Sequence, residues 1–172
     1  MATADDNVRE TFVTGLKNAH ALEQQALSLM DRQIEHLAHY AEVEERLRVH
    51  RGETHTQITR LNRILEGLGE SPSALKDAAL TMTGNMAAIA HTFAPDEILK
   101  NSFANFAFEN FEAATYKALI VMAQEGGFTS AIPLLEQTLQ EELAMVAFCD
   151  EILPRIVRKY LYLKANGAQA SH

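Results

Sequence analysis

Leu16-Lys17-Asn18-Ala19-His20-Ala21-Leu22-Glu23-Gln24-Gln25-Ala26 sets a glutamate into a stripe of apolar residues. The stripe continues on both sides as Phe12, Leu16, Ala19, Glu23, Ala26 and Met30, spaced 4-3-4-3-4. That is the period of one α-helical face, so position 23 belongs to the face that should be buried. The same intrusion occurs three more times. Glu53 follows Val43, Leu47 and His50 and precedes Gln57 and Leu61. Glu112 stands between Phe108 and Thr115, and Glu142 between Leu139 and Val146. Glu23 and Glu53 are 30 residues apart, as are Glu112 and Glu142, and the second pair repeats the first at an offset of 89.

Outward from these positions the chain reads as helix throughout. The pattern predicts a first helix from about Asn7 into the thirties and a second from Ala41 to Leu68, with Gly67 and Gly69 as its stop. A long connection follows, from about 70 to 95, carrying Leu75, Ala79, Met82 and Met86. Pro95-Asp96-Glu97 supplies the proline and acids favoured at a helix start, and Gly126-Gly127 should end that third helix. Thr129 or Ser130 is positioned to cap a fourth, with Pro133 in its first turn. Pro154 should kink or end it, leaving a short C-terminal helix at 156–163 in a tail from about 155 that frays after Asn166. The order short turn, long crossover, short turn gives an all-α fold. It is the ferritin-like up-down four-helix bundle, with one long crossover between helices two and three. All 172 residues are expected to form one domain.

Composition narrows the partners. Apolar residues make up 47% and charged residues 22%, so a packed core is expected and disorder is not. A net charge of −8 argues against nucleic acid or an anionic membrane surface. The single Cys149 rules out an internal disulfide. The Met1-Ala2-Thr3-Ala4-Asp5-Asp6 start lacks a secretory pattern, and no uncharged run is long enough to span a bilayer. These features point to the cytoplasm. Phe103, Phe106, Phe108 and Phe111 cannot all face one way on a helix, so some should pack on the crossover or on a second copy, and a homodimer is expected.

An ionised carboxylate in a dry bundle interior costs several kcal/mol, and four would rival the stability of a whole domain. Any one glutamate on a stripe reads as a solvated charge that has drifted there. Four in register do not. No Lys or Arg interrupts the stripes beside them, so two metal ions are the expected counter-charge, iron first and manganese second, given the hard oxygen donors. The usual arrangement places one Glu on each of two helices and Glu-x-x-His on the others. Here Thr56 and Met145 replace those histidines, and helix two offers the reverse order, His50-x-x-Glu53. Helix three offers Glu109-x-x-Glu112. The expected ligands are therefore Glu23, His50, Glu53, Glu109, Glu112 and Glu142, with Gln57 and Tyr116 placed to hydrogen-bond ligand carboxylates. His20 and Glu141 stay open as alternatives. His36, His39, His55 and His91 read as surface residues.

The blocks Ala21-Leu22-Glu23-Gln24-Gln25, His50-Arg51-Gly52-Glu53-Thr54 (followed by Gln57 and Arg60-Leu61) and Ala107-Phe108-Glu109-Asn110-Phe111-Glu112 with Tyr116 stand in this order along the chain. With Leu134 to Glu142, they resemble the YciE/YciF-type family of ferritin-like proteins over most of the chain. The resemblance implies a rubrerythrin-related bundle, commonly dimeric, with a di-metal centre and a link to bacterial stress. Where that family has two acids before its helix-two threonine, this chain has Gly52-Glu53. Two functions follow as expectations. One is a di-iron oxidoreductase acting on peroxide, dioxygen or ferrous iron. It would need an external electron donor, because no Cys-x-x-Cys pair is present. The other is a non-catalytic stress protein whose bundle the ions stabilise.

Overall fold

The computed structural model describes residues 4–70 and 96–171. They form four helices, α1 (Ala4–Ile34), α2 (Ala41–Gly67), α3 (Glu97–Glu125) and α4 (Ile132–Ala165), with no strand among the described residues. Helix α1 packs on α2 and α3, and α4 packs on α3 and α2, so two antiparallel hairpins close a bundle. The expected crossover, with Met82, Met86 and His91, lies outside the described residues beyond Glu70.

The glycine stops operate through backbone geometry. Gly69 and Gly127 adopt φ values of 75° and 68°, a region that a Cβ disfavours. At the end of α3, Gly127 N–H donates to Gln124 and Phe128 N–H to Ala123, the paired bonds that satisfy a helix's last carbonyls. At the start of α4 the expected cap is not made. Ala131 occupies the capping position and no side chain bonds the free amides there, so neither Thr129 nor Ser130 caps the helix.

Two expectations about the C-terminal end are corrected. Helix α4 runs unbroken through Pro154, and the separate short helix expected after it is the end of α4. The proline is exposed, so the carbonyl it frees lies on the solvent side. Ile152, Ile156 and Tyr160 on the opposite face are buried and hold both halves to the bundle. Tertiary packing outweighs the local penalty. The tail does not fray either: Tyr40 Oη donates to the Ala170 carbonyl at 2.8 Å, and Ile98 N–H donates to that of Ser171 at 3.1 Å.

The core is divided. One apolar cluster gathers Phe12, Leu16, Leu61, Leu119 and Leu135, and the other Leu22, Leu47, Phe108, Met145 and Ile152. Between them lies a layer of buried polar side chains, with Glu23, His50, Thr54, Gln57, Glu109, Glu112 and Glu142 all at most 5% exposed. That layer is the site. Pro154→Ala should raise the bundle's stability, by up to the ~3 kcal/mol that separates the two residues in a helix interior. Urea denaturation checks this, and a loss of stability would mean that the ring packs favourably despite its exposure.

Candidate metal centre

Each helix contributes to the polar layer from its inward stripe: Glu23 from α1, His50, Thr54 and Gln57 from α2, Glu109, Glu112 and Tyr116 from α3, and Glu142 from α4. His50, Glu109, Glu112 and Glu142 converge most closely, with one ligand atom from each lying within 4.8 Å of all the others. His50 Nε2 stands 3.1 Å from Glu109 Oε2 and 3.8 Å from Glu142 Oε2. Its other nitrogen, Nδ1, lies 2.8 Å from Glu53 Oε2.

Glu23 is buried in the same layer, and Tyr116 Oη donates to its Oε1. Glu53 is placed differently from the expected inward position. It is partly exposed, with 28% of its side chain accessible, and Thr54 takes the buried place on the stripe. Steps of three and of four residues both fit a period of 3.6, and the helix resolves positions 53 and 54 in favour of the smaller, less polar side chain. From the flank, Glu53 reaches back to His50 and accepts from Arg46 Nη1 at 3.0 Å.

A second network went unread in the sequence. Arg60 is 8% exposed, which corrects the expectation that no cation interrupts these stripes. Its guanidinium donates to both oxygens of Glu141, at 2.6 and 2.8 Å, and to Thr138 Oγ1 at 3.1 Å. Its charge is thereby committed at the edge of the layer. Gln57 Nε2 then donates to Glu141 Oε2 at 3.1 Å and to Glu142 Oε1 at 2.5 Å, which ties Arg60 to the central carboxylate. Gln57, at i−3 from Arg60 on the same face, was the one available signal. His20 remains outside the cluster, His39 and His55 lie on the surface, and His36 is half-buried against Glu97.

The electrostatics follow from burial. Desolvation raises Glu142 to about 10, helped by the charge of Glu109. Glu112 is pushed well above the carboxylate range by burial and by Glu23, Glu142 and Glu109. Burial lifts Glu23 to about 8 against the bond from Tyr116. For His50, burial opposes the charged form, yet Glu109, Glu53 and Glu142 together raise it to about 10. Glu53 is lowered to about 2, chiefly by its bond with His50. Without another cation the layer therefore holds protons on Glu23, Glu112, Glu142 and His50 at neutral pH.

The donor set can take a metal. Glu23 Oε2, Glu109 Oε2, Glu112 Oε1 and Glu142 Oε2 are buried without a hydrogen-bond donor among the described residues. The Glu109 oxygen meets His50 as a charge contact without hydrogen-bond geometry. Leaving such atoms unmatched is costly. Three carboxylates and an imidazole form a hard, mixed oxygen and nitrogen set. The buried thiol of Cys149, raised to about 12 by burial and by Glu109, stays protonated and apart from it.

A family model described as "Domain of unknown function (DUF892)" matches residues 7–162. The chain belongs to the DUF892 family. This DUF892 chain is similar to a solved protein of Xanthomonas campestris at 29% identity and a TM-score of 0.77, over 92% of this chain and 99% of that one. The Escherichia coli stress protein YciF shares its fold at 21% identity and a TM-score of 0.71, again over 92% and 99% of the two chains. YcfI of Rhodopseudomonas palustris aligns at 26% identity and a TM-score of 0.65, over 87% and 94%. The YciE/YciF-type resemblance and the four-helix bundle both stand. Among the described residues no helix is long and apolar enough to cross a membrane.

Metal-free protein should become less stable as pH rises. Glu23, Glu142 and His50 all have folded pKa values above their unfolded ones, so the stability they confer is complete at low pH and drains away on the way up. His20, lowered by burial, runs the other way, but its contribution is complete above its ordinary value of 6.5. Between pH 7 and 9 the free energy of unfolding should fall by at least ~1 kcal/mol per pH unit. Chemical denaturation of chelator-treated protein tests this, and stability that is flat or rising across that interval would contradict the protonated layer.

Proposed function

We propose that this DUF892 chain is a cytoplasmic stress protein built around a di-metal carboxylate centre, with iron as the first candidate and manganese as the second. One observation carries the reading: the four ligand atoms of His50, Glu109, Glu112 and Glu142 lie within 4.8 Å, and three of those residues keep an unmatched buried oxygen. His50, Glu109 and Glu142 would hold one ion. Glu112, whose proton Glu23 helps to retain, and Glu23 itself would complete the set of residues that holds the ions. Bound there, an iron pair would supply one-electron steps to a small oxidant such as peroxide or dioxygen.

The protein's own groups have separable tasks. Gln57 orients Glu142 through its amide, and Arg60 steadies Glu141 beneath it. Tyr116 holds a proton against Glu23 Oε1. Glu53 acts on His50 rather than as a ligand: its contact with Nδ1 turns Nε2 toward the carboxylates. Being partly exposed, Glu53 also offers the imidazole proton a way to solvent when a cation takes its place. The apolar clusters on either side keep bulk water from the layer.

A non-catalytic reading is favoured by one feature. The protonated layer, with His50 between Glu53 and Glu109, is already a neutralised network, and an ion replacing those protons would stabilise the bundle without any turnover.

Metal content separates the readings. Protein purified without chelator should carry about two iron or manganese ions per chain, as a centre of this kind requires. The Glu112→Gln/Glu142→Gln double variant should lose them while remaining helical. Ferrous-loaded protein that then consumes peroxide, with an accompanying change in absorbance, would identify an oxidoreductase. Loaded but inert protein would favour the structural role. Failure to bind ferrous iron anaerobically would sink both.

A further inference from the structure

Two acidic side chains on the rim of the polar layer reach solvent, and they are held differently. Glu141, 20% exposed, accepts from both arms of Arg60 and from Gln57, so both of its oxygens are taken. Glu53, 28% exposed, accepts from Arg46 Nη1 at 3.0 Å and meets His50 Nδ1 at 2.8 Å, and both contacts use Oε2. Both acids border the seam between α2 and α4. Among the described residues these two helices pack less closely on each other than the other neighbouring pairs do. Polar bonds bridge the seam at two levels. Arg155 donates to both oxygens of Glu42 near one end, and Gln57 and Arg60 reach Glu141, Glu142 and Thr138 further along. Between those levels Arg46 bonds to Glu53 of its own helix. Val49 lies between them on the same side of α2 and is 53% exposed, so that stretch of the seam stands open to solvent.

We propose that Arg46 gates a cation entry port in the α2–α4 seam, with Glu53 as the carboxylate that receives each ion from solvent. The proposal rests on reading the polar layer as a metal centre. Glu53 is the shortest way in, because it touches His50 directly and the far nitrogen of that ring stands 3.1 Å from Glu109. The acids further in, Glu23, Glu109, Glu112 and Glu142, are at most 5% exposed and cannot meet an ion at the surface. Glu141 is the alternative, but it would have to surrender a two-armed guanidinium bond before it could bind anything. Arg46 holds Glu53 by a single bond, and its own side chain is 17% exposed, so it can swing outward into water. A guanidinium cannot shed its charge, so the only way for it to release the carboxylate is to move. Closed, it repels an approaching cation and occupies Oε2. Open, it leaves a free carboxylate on a chain whose net charge of −8 draws cations toward it. Arg48 provides the contrast: it carries the same charge two residues away, but it is 61% exposed and pairs with Glu44 along the helix surface.

A gate changes how fast the layer fills and empties, and leaves unchanged how tightly it holds. Metal-free full-length chain would be mixed anaerobically with ferrous iron and quenched at timed intervals with a colour-forming chelator, which reads loading. Excess chelator added to loaded protein reads release. Arg46→Gln should speed both processes ~tenfold, with the same number of ions bound, the same Kd and the same helical circular dichroism. Glu53→Gln should slow loading ~tenfold, because the receiving carboxylate is gone. Arg48→Gln removes the same charge from outside the seam and should change neither rate, which separates a gate from general attraction. Wild-type chain that loads normally but ignores Arg46→Gln, or responds equally to Arg48→Gln, would overturn the gate and leave the metal centre standing. Loading by Glu53→Gln as fast as by the wild type would overturn the port. A shift in Kd with only one rate altered would make Arg46 part of the binding site and overturn the gate as well. Wild-type chain that binds no ferrous iron at equilibrium would overturn the centre and the port together.

Discussion

Taking four carboxylates and an imidazole out of water together is the constraint on which this structure turns. Each charge would cost several kcal/mol on its own in a packed bundle, against a whole-domain stability of roughly 5–15 kcal/mol. The fold can hold the group only by neutralising it. The layer does so with protons on Glu23, Glu112, Glu142 and His50, with the pairing of His50 between Glu53 and Glu109, and with the Tyr116 bond to Glu23. The remaining unmatched oxygens show that protons alone leave the layer under-satisfied. A cation would supply what is missing, and the layer could hold one on energetic grounds before any comparison with other proteins.

The surroundings of the layer answer the same constraint. Two apolar clusters flank it, so the polar groups form a waist in the bundle rather than a leak through it. Among the described residues Arg60 is the one buried Lys or Arg side chain, and it is held by Glu141 and Thr138 instead of entering the cluster. Gln57 joins that pair to Glu142. A charge placed at the rim can thus influence the centre through an oriented amide, without a guanidinium occupying the space where a metal would sit.

Much of this was legible from spacing. The inward positions of Glu23, His50, Glu109, Glu112 and Glu142 follow from helical period alone, because a buried face repeats on a fixed cycle and these residues interrupt it. Glu53 shows the limit of that reasoning. A step of three and a step of four are both helical, and only packing decided that Thr54 faces in and Glu53 reaches His50 from the flank. Arg60 was illegible for a related reason: a long side chain beside a core can lie buried along its length when a carboxylate meets its tip, and spacing does not reveal the partner. Pro154 and the tail were misread because local rules treat a proline and a polar terminus as ends. Burial of Ile152 and Ile156, and the bonds to Ala170 and Ser171, override those rules.

If this layer exchanges protons for metal, loading it must release acid. Metal-free protein in weak buffer at pH 7 would be titrated anaerobically with ferrous iron while the released acid is followed. Protons leaving Glu112, Glu142 and His50 predict more than one proton per ion bound, with fewer released as the starting pH rises toward 10. Binding without proton release would show that the carboxylates are already ionised, and the account of the layer would then be wrong.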